Sequence, residues 1–87
     1  MNNDKNNPVL TATFESTNIK YAEYDPFVKV LSVWFHGINE TQYDYIGVEK
    51  ELFDNFIIAE SAGKFFNLNI KNKYETMNRT KKRKKKM

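Results

Sequence analysis

Three groups of side chains in this chain carry functional chemistry by type and spacing. Tyr43 and Tyr45 stand two apart. In a strand, alternate residues project from one face, so the two rings can offer a flat surface to unpaired bases. Each such stack contributes roughly 1 to 3 kcal/mol. Turned toward a helix instead, the same rings would be core residues with their hydroxyls at the rim, and the general burial of strand aromatics favours that second role. Ser61, Lys64 and Asn67 form the next group. A hydroxyl, an ammonium and an amide can hold a phosphate or carboxylate, although Ser and Asn near a helix end more often satisfy loose backbone groups, which leaves Lys64 as the free member. The last group is the basic run of Arg79, Lys81, Lys82, Arg83, Lys84, Lys85 and Lys86. It can neutralise nucleic-acid phosphates, dock on an acidic protein surface or act as a solubilising terminus.

Other chemistries find no support. His36 is the single histidine and has no neighbours at metal-ligand spacing. A strand-end histidine without a partnered nucleophile is usually solvated or hydrogen-bonded. There is no cysteine, so disulfides, thiolate metal sites and thiol redox chemistry are excluded. No glycine-rich phosphate loop, nucleophile elbow or purposefully spaced carboxylate pair is present. The expectation is a protein that is not an enzyme and holds neither cofactor nor metal.

The charge divides along the chain. Its formal net value is +3, from 14 basic and 11 acidic residues. Seven of the basic residues belong to the terminal run, so residues 1 to 78 hold 7 bases against all 11 acids, a balance of −4. The high isoelectric point therefore describes the tail, not the body. The first residues, Met1 to Pro8, are polar and lack the apolar stretch of a secretory signal. No apolar run approaches the roughly 20 residues needed to cross a bilayer. A reducing, cytoplasmic setting with no membrane partner is expected.

These side chains need elements to position them. Residues 1–15 are asparagine-rich and read as a flexible leader, with a short alternation at Thr11 to Phe14 that can pair as an edge strand. Ile19 to Tyr24 is a strand with Ala22 and Tyr24 on one face and Tyr21 and Glu23 on the other, and Asp25-Pro26 breaks it. Phe27 to His36 is the strongest β signal. Period-2 reading sends Leu31, Val33 and Phe35 to the core and leaves Val30, Ser32, Trp34 and His36 on the opposite face. Gly37 to Glu40 makes a hairpin turn into a third strand, Thr41 to Ile46. From Val48 to about Ala62 a 3.6-residue apolar period through Leu52, Phe56, Ala59 and Gly63, flanked by Phe53 and Ile57, predicts one amphipathic helix, with Gly63 as its left-handed closing residue. The following segment should tuck Phe66 and Ile70 back onto the domain. The predicted fold class is α+β: a three-stranded antiparallel sheet (β-β-β-α), one helix packed on one face, and a short C-terminal segment tucked back. Residues 16–75 form the domain and 76–87 a basic, disordered tail.

The order Leu31-x-Val33-x-Phe35, Tyr43-x-Tyr45, Val48, then Ala59-x-Ser61-x-Gly63-Lys64-x-Phe66-Asn67-x-x-Ile70 resembles the KTSC domain. That domain is named for the C-terminus of certain lysyl-tRNA synthetases and also occurs as a free-standing small protein of bacteria and phages. The resemblance spans Ile19 to Tyr74. Glu49 stands where the family pattern usually has proline, and either residue suits a helix start. The synthetase context implies RNA as a partner and a bacterial or phage-infected cell as the setting.

The leading expectation is a small RNA-associated binding module. Lys64, Lys71, Lys73, Arg79 and the basic run would supply the phosphate contacts, and the domain would supply shape. The competing expectation is a protein-interaction module that binds a host factor, or pairs with itself as a homodimer, through Val30, Trp34 and His36, since tryptophan is a frequent interface anchor.

Overall fold

The structure is a computed structural model that describes residues 8–37 and 41–79. Its strands are β1 (Leu10–Thr13), β2 (Ile19–Asp25), β3 (Val30–Phe35), β4 (Gln42–Ile46) and β5 (Glu75–Asn78), with helices α1 (Lys50–Ile58) and α2 (Ala62–Asn69) between β4 and β5. All five strands form one antiparallel sheet in the order β1-β2-β3-β4-β5. The expectation of three strands and one helix is therefore overturned, although the α+β class stands.

Alternation sets the two faces. Ala22 pairs with Val33, Tyr24 with Leu31, Leu31 with Tyr45 and Val33 with Tyr43, so these side chains share the face that meets the helices. Ile19, Ala22, Tyr24, Leu31, Val33 and Tyr45 are buried there against Val48, Phe53, Phe56, Phe66 and Ile70. Tyr24 stacks on Phe53 with ring centroids 5.2 Å apart, and its hydroxyl donates to the Val48 carbonyl. This bond ties the middle of the sheet to the chain just before α1.

Four local expectations are corrected. The long predicted helix is two helices. Ala59 is extended, with ψ 142°, and the chain restarts at Ser61, whose hydroxyl accepts from the Lys64 N–H at 3.2 Å. A Ser side chain that satisfies a first-turn donor starts a helix, and the apolar period ran through the break because Ala59 and Gly63 happened to fit it. Gly63 consequently lies inside α2 and closes nothing. A Cβ there would meet Ser16 Oγ at 3.9 Å and Asn18 Nδ2 at 4.0 Å, so the helix start passes close to the β1–β2 connection.

Next, β3 starts at Val30. Phe27 to Lys29 form a turn with Lys29 at φ 60°, and Phe27 is 71% exposed. The Asp25 carboxylate caps this turn by accepting the Phe27 N–H at 2.9 Å. Finally, a strand occupies part of the expected tail, while the edge strand allowed by the alternation at Thr11 to Phe14 is present, one residue earlier. Leu10–Thr13 pairs with β2, and Glu75–Asn78 pairs with β4. Both segments are short and lie at the sheet edges; β1 turns Leu10 and Ala12 onto the core, whereas the exposed β5 is held by backbone pairing.

Candidate functional site

β4 places Tyr43 and Tyr45 on the helix-facing side, β3 ends with Phe35 on that side, and α2 lowers Phe66 onto Phe35 and Tyr45. Neighbouring rings touch in a closed circuit. Phe35 meets Tyr43 at 6.1 Å, Tyr43 meets Tyr45 at 6.4 Å, Tyr45 meets Phe66 at 5.6 Å, and Phe66 returns to Phe35 at 5.3 Å. Three of these contacts are edge-on, with interplanar angles of 71 to 74°. In an edge-to-face contact the rim of one ring meets the face of the other, and beside this circuit opens a cavity of about 460 Å³. Lys71, Asn72 and Thr76 complete its lining, which includes no carboxylate.

The polar part of the lining comes from the chain leaving α2. The Ile70 and Lys71 N–H groups both donate to the Phe66 carbonyl at 2.9 Å, closing the helix, and Asn72 takes a left-handed φ of 63° that turns the chain toward β5. Asn tolerates that conformation better than most residues with a Cβ. Thr76 then sits opposite Tyr45 in the β4–β5 register. Tyr45 is only 4% exposed, and its hydroxyl makes no hydrogen bond among the described residues. Burial, with the neighbouring Tyr43 hydroxyl, pushes its pKa up to about 12, so it stays a protonated donor.

The tyrosine pair thus combines the roles that the sequence left as alternatives. Tyr45 is a core residue by burial and Tyr43 is half-buried, yet both line an open cavity. Lys71 is brought to that cavity. Lys64 is not: it lies in the first turn of α2, and Lys71 lies past the last. Seven residues of helical rise separate them by about 10 Å along the axis. Lys73 follows Lys71 in the exposed connection to β5. Arg79 extends β5, its N–H donating to the Gln42 carbonyl at 2.7 Å. Lys81, Lys82, Arg83, Lys84, Lys85 and Lys86 lie outside the described residues.

Ser61, grouped with Lys64 and Asn67 as an anion site, is engaged as the α2 cap, and Asn67 is an exposed residue further along that helix. Val48 and Ile70 are core residues, and Ala59 is the extended break between the helices. Sequence reasoning gave Phe35 only a core role and missed Asn72 and Thr76. Phe35 was recognisable as the last inward ring of its strand. Thr76 carried no linear signal, because only the pairing of β5 with β4 brings it to Tyr45.

On the opposite face Trp34 contacts Tyr21, with centroids 5.1 Å apart, and Val30 pairs with Ile46. Asp44 is buried among them. It accepts from Ser32 at 2.7 Å and Gln42 at 3.3 Å, and Arg79 approaches it at 3.4 Å. The Tyr21 hydroxyl donates to Glu23 at 2.8 Å, and that hydrogen bond and the carboxylate's charge raise the tyrosine pKa. His36 is exposed beyond the strand end, and its N–H donates to the Asn18 carbonyl. Among the described residues no three His, Cys, Asp or Glu side chains gather as a metal site, and no helix is long and apolar enough to cross a membrane.

Residues 15–74 match the KTSC domain. The chain belongs to the KTSC domain family. A protein of Tsukamurella paurometabola is 36% identical over 63 residues, which cover 72% of this chain and 91% of that one. The crystal structure of a KTSC domain protein from Yersinia pestis is similar at a TM-score of 0.73 and 30% identity, covering 80% of this chain and 96% of that one. Tyr43, Tyr45 and Phe66 of the cavity, together with its Lys71, lie within the matched KTSC segment, whereas Thr76 and Arg79 lie beyond it.

Proposed function

We propose that this KTSC protein is a non-enzymatic module that binds single-stranded RNA, with an unpaired base in the aromatic cavity and phosphates on Lys71, Lys73, Arg79 and the basic run that follows. The observation that carries this reading is the shared edge. The rings of β4 and the strand that leads into the basic run are hydrogen-bonded neighbours, with Tyr43 opposite Asn78. A chain of bases and phosphates needs both surfaces side by side, since aromatic faces hold bases and a cationic track holds the backbone. The acidic balance of residues 1 to 78 does not reach the cavity, whose lining holds a lysine and no carboxylate.

Binding of labelled single-stranded RNA to the full chain tests this. Seven basic residues from Arg79 to Lys86, at roughly 0.7 per phosphate contact, give a slope of about −5 in log K against log salt. Replacing the five lysines and Arg83 of residues 81 to 86 by glutamine should abolish binding at moderate salt, and Tyr43→Ala should weaken it with little change in slope. No binding of the intact chain at low salt would sink the reading.

A second reading rests on Trp34, which with Tyr21 and Val30 lies on the sheet face turned away from the helices. There the module would bind a host protein or a second copy of itself. Light scattering and affinity capture with wild type and Trp34→Ala separate these outcomes; identical masses and identical captured proteins count against both.

A further inference from the structure

We infer that the aromatic cavity is a single-nucleotide site, taking one base among its rings and that nucleotide's phosphate on Lys71, with the Tyr45 hydroxyl as a hydrogen-bonding contact to the ligand. This deepens the RNA-binding reading and rests on it for the class of polymer from which the nucleotide comes.

Three features of the cavity specify the ligand. Its volume of about 460 Å³ lies toward the lower end of the roughly 300 to 1,000 Å³ typical of small-molecule pockets, enough for one nucleotide and not for a stack of several. Its walls are the four rings in mutual contact, so the buried part of the ligand is flat and apolar on its faces. A box of aromatic rings also suits a quaternary ammonium group. Lys71 in the lining opposes that choice, because a fixed positive charge beside the cavity repels a cation and attracts an anion.

The Tyr45 hydroxyl supplies the independent observation. The residue is 4% exposed, it lines the cavity, and its hydroxyl has no hydrogen-bond partner among the described residues. Buried hydroxyls are nearly always paired, with protein, water or ligand. A base edge or ribose hydroxyl entering the cavity answers this one. Tyr24 shows the contrast within the same core, since its hydroxyl is fully used by the Val48 carbonyl.

The test is a nuclear magnetic resonance titration of the full chain, following the ring signals of Phe35, Tyr43 and Tyr45 with adenosine 5′-monophosphate, adenosine, inorganic phosphate and choline as separate probes. The monophosphate should shift the ring signals saturably. Adenosine should shift the same signals about three- to fivefold more weakly, the worth of one partly exposed charge pair. Lys71→Gln should bring the monophosphate to the level of adenosine and leave adenosine itself unchanged. That ratio is insensitive to any stability lost when a charge beyond the C-terminus of α2 is removed. Tyr45→Phe should weaken both nucleoside and nucleotide, and choline should leave the rings unmoved.

Ring signals untouched by the monophosphate, equal affinity for the monophosphate and adenosine in wild type, or saturable binding of choline would each overturn the inference. Single-stranded RNA binding measured on the same sample keeps the two readings apart. RNA binding with a silent monophosphate refutes the nucleotide site and leaves the RNA module standing on its basic run. Monophosphate binding without RNA binding refutes the RNA module and leaves a small-molecule site.

Discussion

Replacing Tyr45 by Phe removes one oxygen from a residue that lines the cavity and leaves its ring contacts with Tyr43 and Phe66 in place. In wild type Tyr45 is buried and its hydroxyl makes no hydrogen bond among the described residues, so its removal strands no protein partner. At pH 7 Tyr45→Phe should therefore change stability by less than about 0.5 kcal/mol, in either direction. The two proteins should part at high pH. The folded-state pKa is pushed up to about 12 by burial and by the neighbouring Tyr43, from an unfolded value of 10.0. A raised folded pKa means that the contribution is fully present below pH 10 and is lost as pH climbs through 12, because the unfolded chain releases the proton first. Two units correspond to about 2 to 3 kcal/mol at the top of that window. The difference between wild type and variant isolates Tyr45. Urea unfolding at pH 7, 9, 10.5 and 11.5, followed by circular dichroism, measures it. A variant that loses more than about 1 kcal/mol at pH 7, or that follows the wild-type alkaline decline step for step, would refute the placement of an unpaired hydroxyl in the cavity.

Tyr24→Phe is the opposite case: it strips the Val48 carbonyl of a buried donor and should cost about 1 to 2 kcal/mol at pH 7, lowering the thermal midpoint by some 4 to 8 °C per kcal/mol. An unchanged melting curve would show that this tie between sheet and α1 contributes nothing. Ser61→Ala should cost about 1 kcal/mol by uncapping α2, visible in urea unfolding, and Ser61→Gly only a few tenths. Phe66→Ala empties the space between Phe35 and Tyr45 and should cost about 3 to 5 kcal/mol, most of the stability a domain of this size holds, so its thermal unfolding should lose cooperativity near room temperature. Asp44→Ala removes the acceptor shared by Ser32, Gln42 and Arg79 and should cost about 1 to 3 kcal/mol, a loss that equal urea midpoints would disprove.

Local pattern was enough for the middle of the sheet. Ala22 and Tyr24 alternate with Tyr21 and Glu23, and Leu31 and Val33 alternate with Ser32 and Trp34. The structure buries the first set against the helices and puts the second on the other face, as a two-residue period requires. The tucking of Phe66 and Ile70 was legible because a segment that carries Phe65, Phe66, Leu68 and Ile70 is too apolar to be a loose tail and has to find a core. β5 was not legible. Its residues, Glu75 to Asn78, are all exposed and show no apolar alternation. They are a strand because β4 offers them unpaired backbone groups, a long-range condition that composition does not carry. The single-helix expectation failed at Ala59 and Ser61. Small residues fit a helical period without enforcing it, and there the capping hydroxyl decided the outcome.

The sequence by itself determined the α+β class, the inward and outward faces of the central strands, the KTSC family and the split between an acidic body and a basic run. Each of these rests on neighbouring residues, on a periodicity or on a sum of charges. Only the tertiary structure decided that Phe35, Tyr43, Tyr45 and Phe66 close a circuit of rings, that Lys71 and Thr76 reach it while Lys64 does not, and that the strand leading to the basic run lies beside them. Those facts depend on which strand finds which edge, set by backbone pairing between residues far apart in the sequence, and on where a second helix restarts, set by the Ser61 cap.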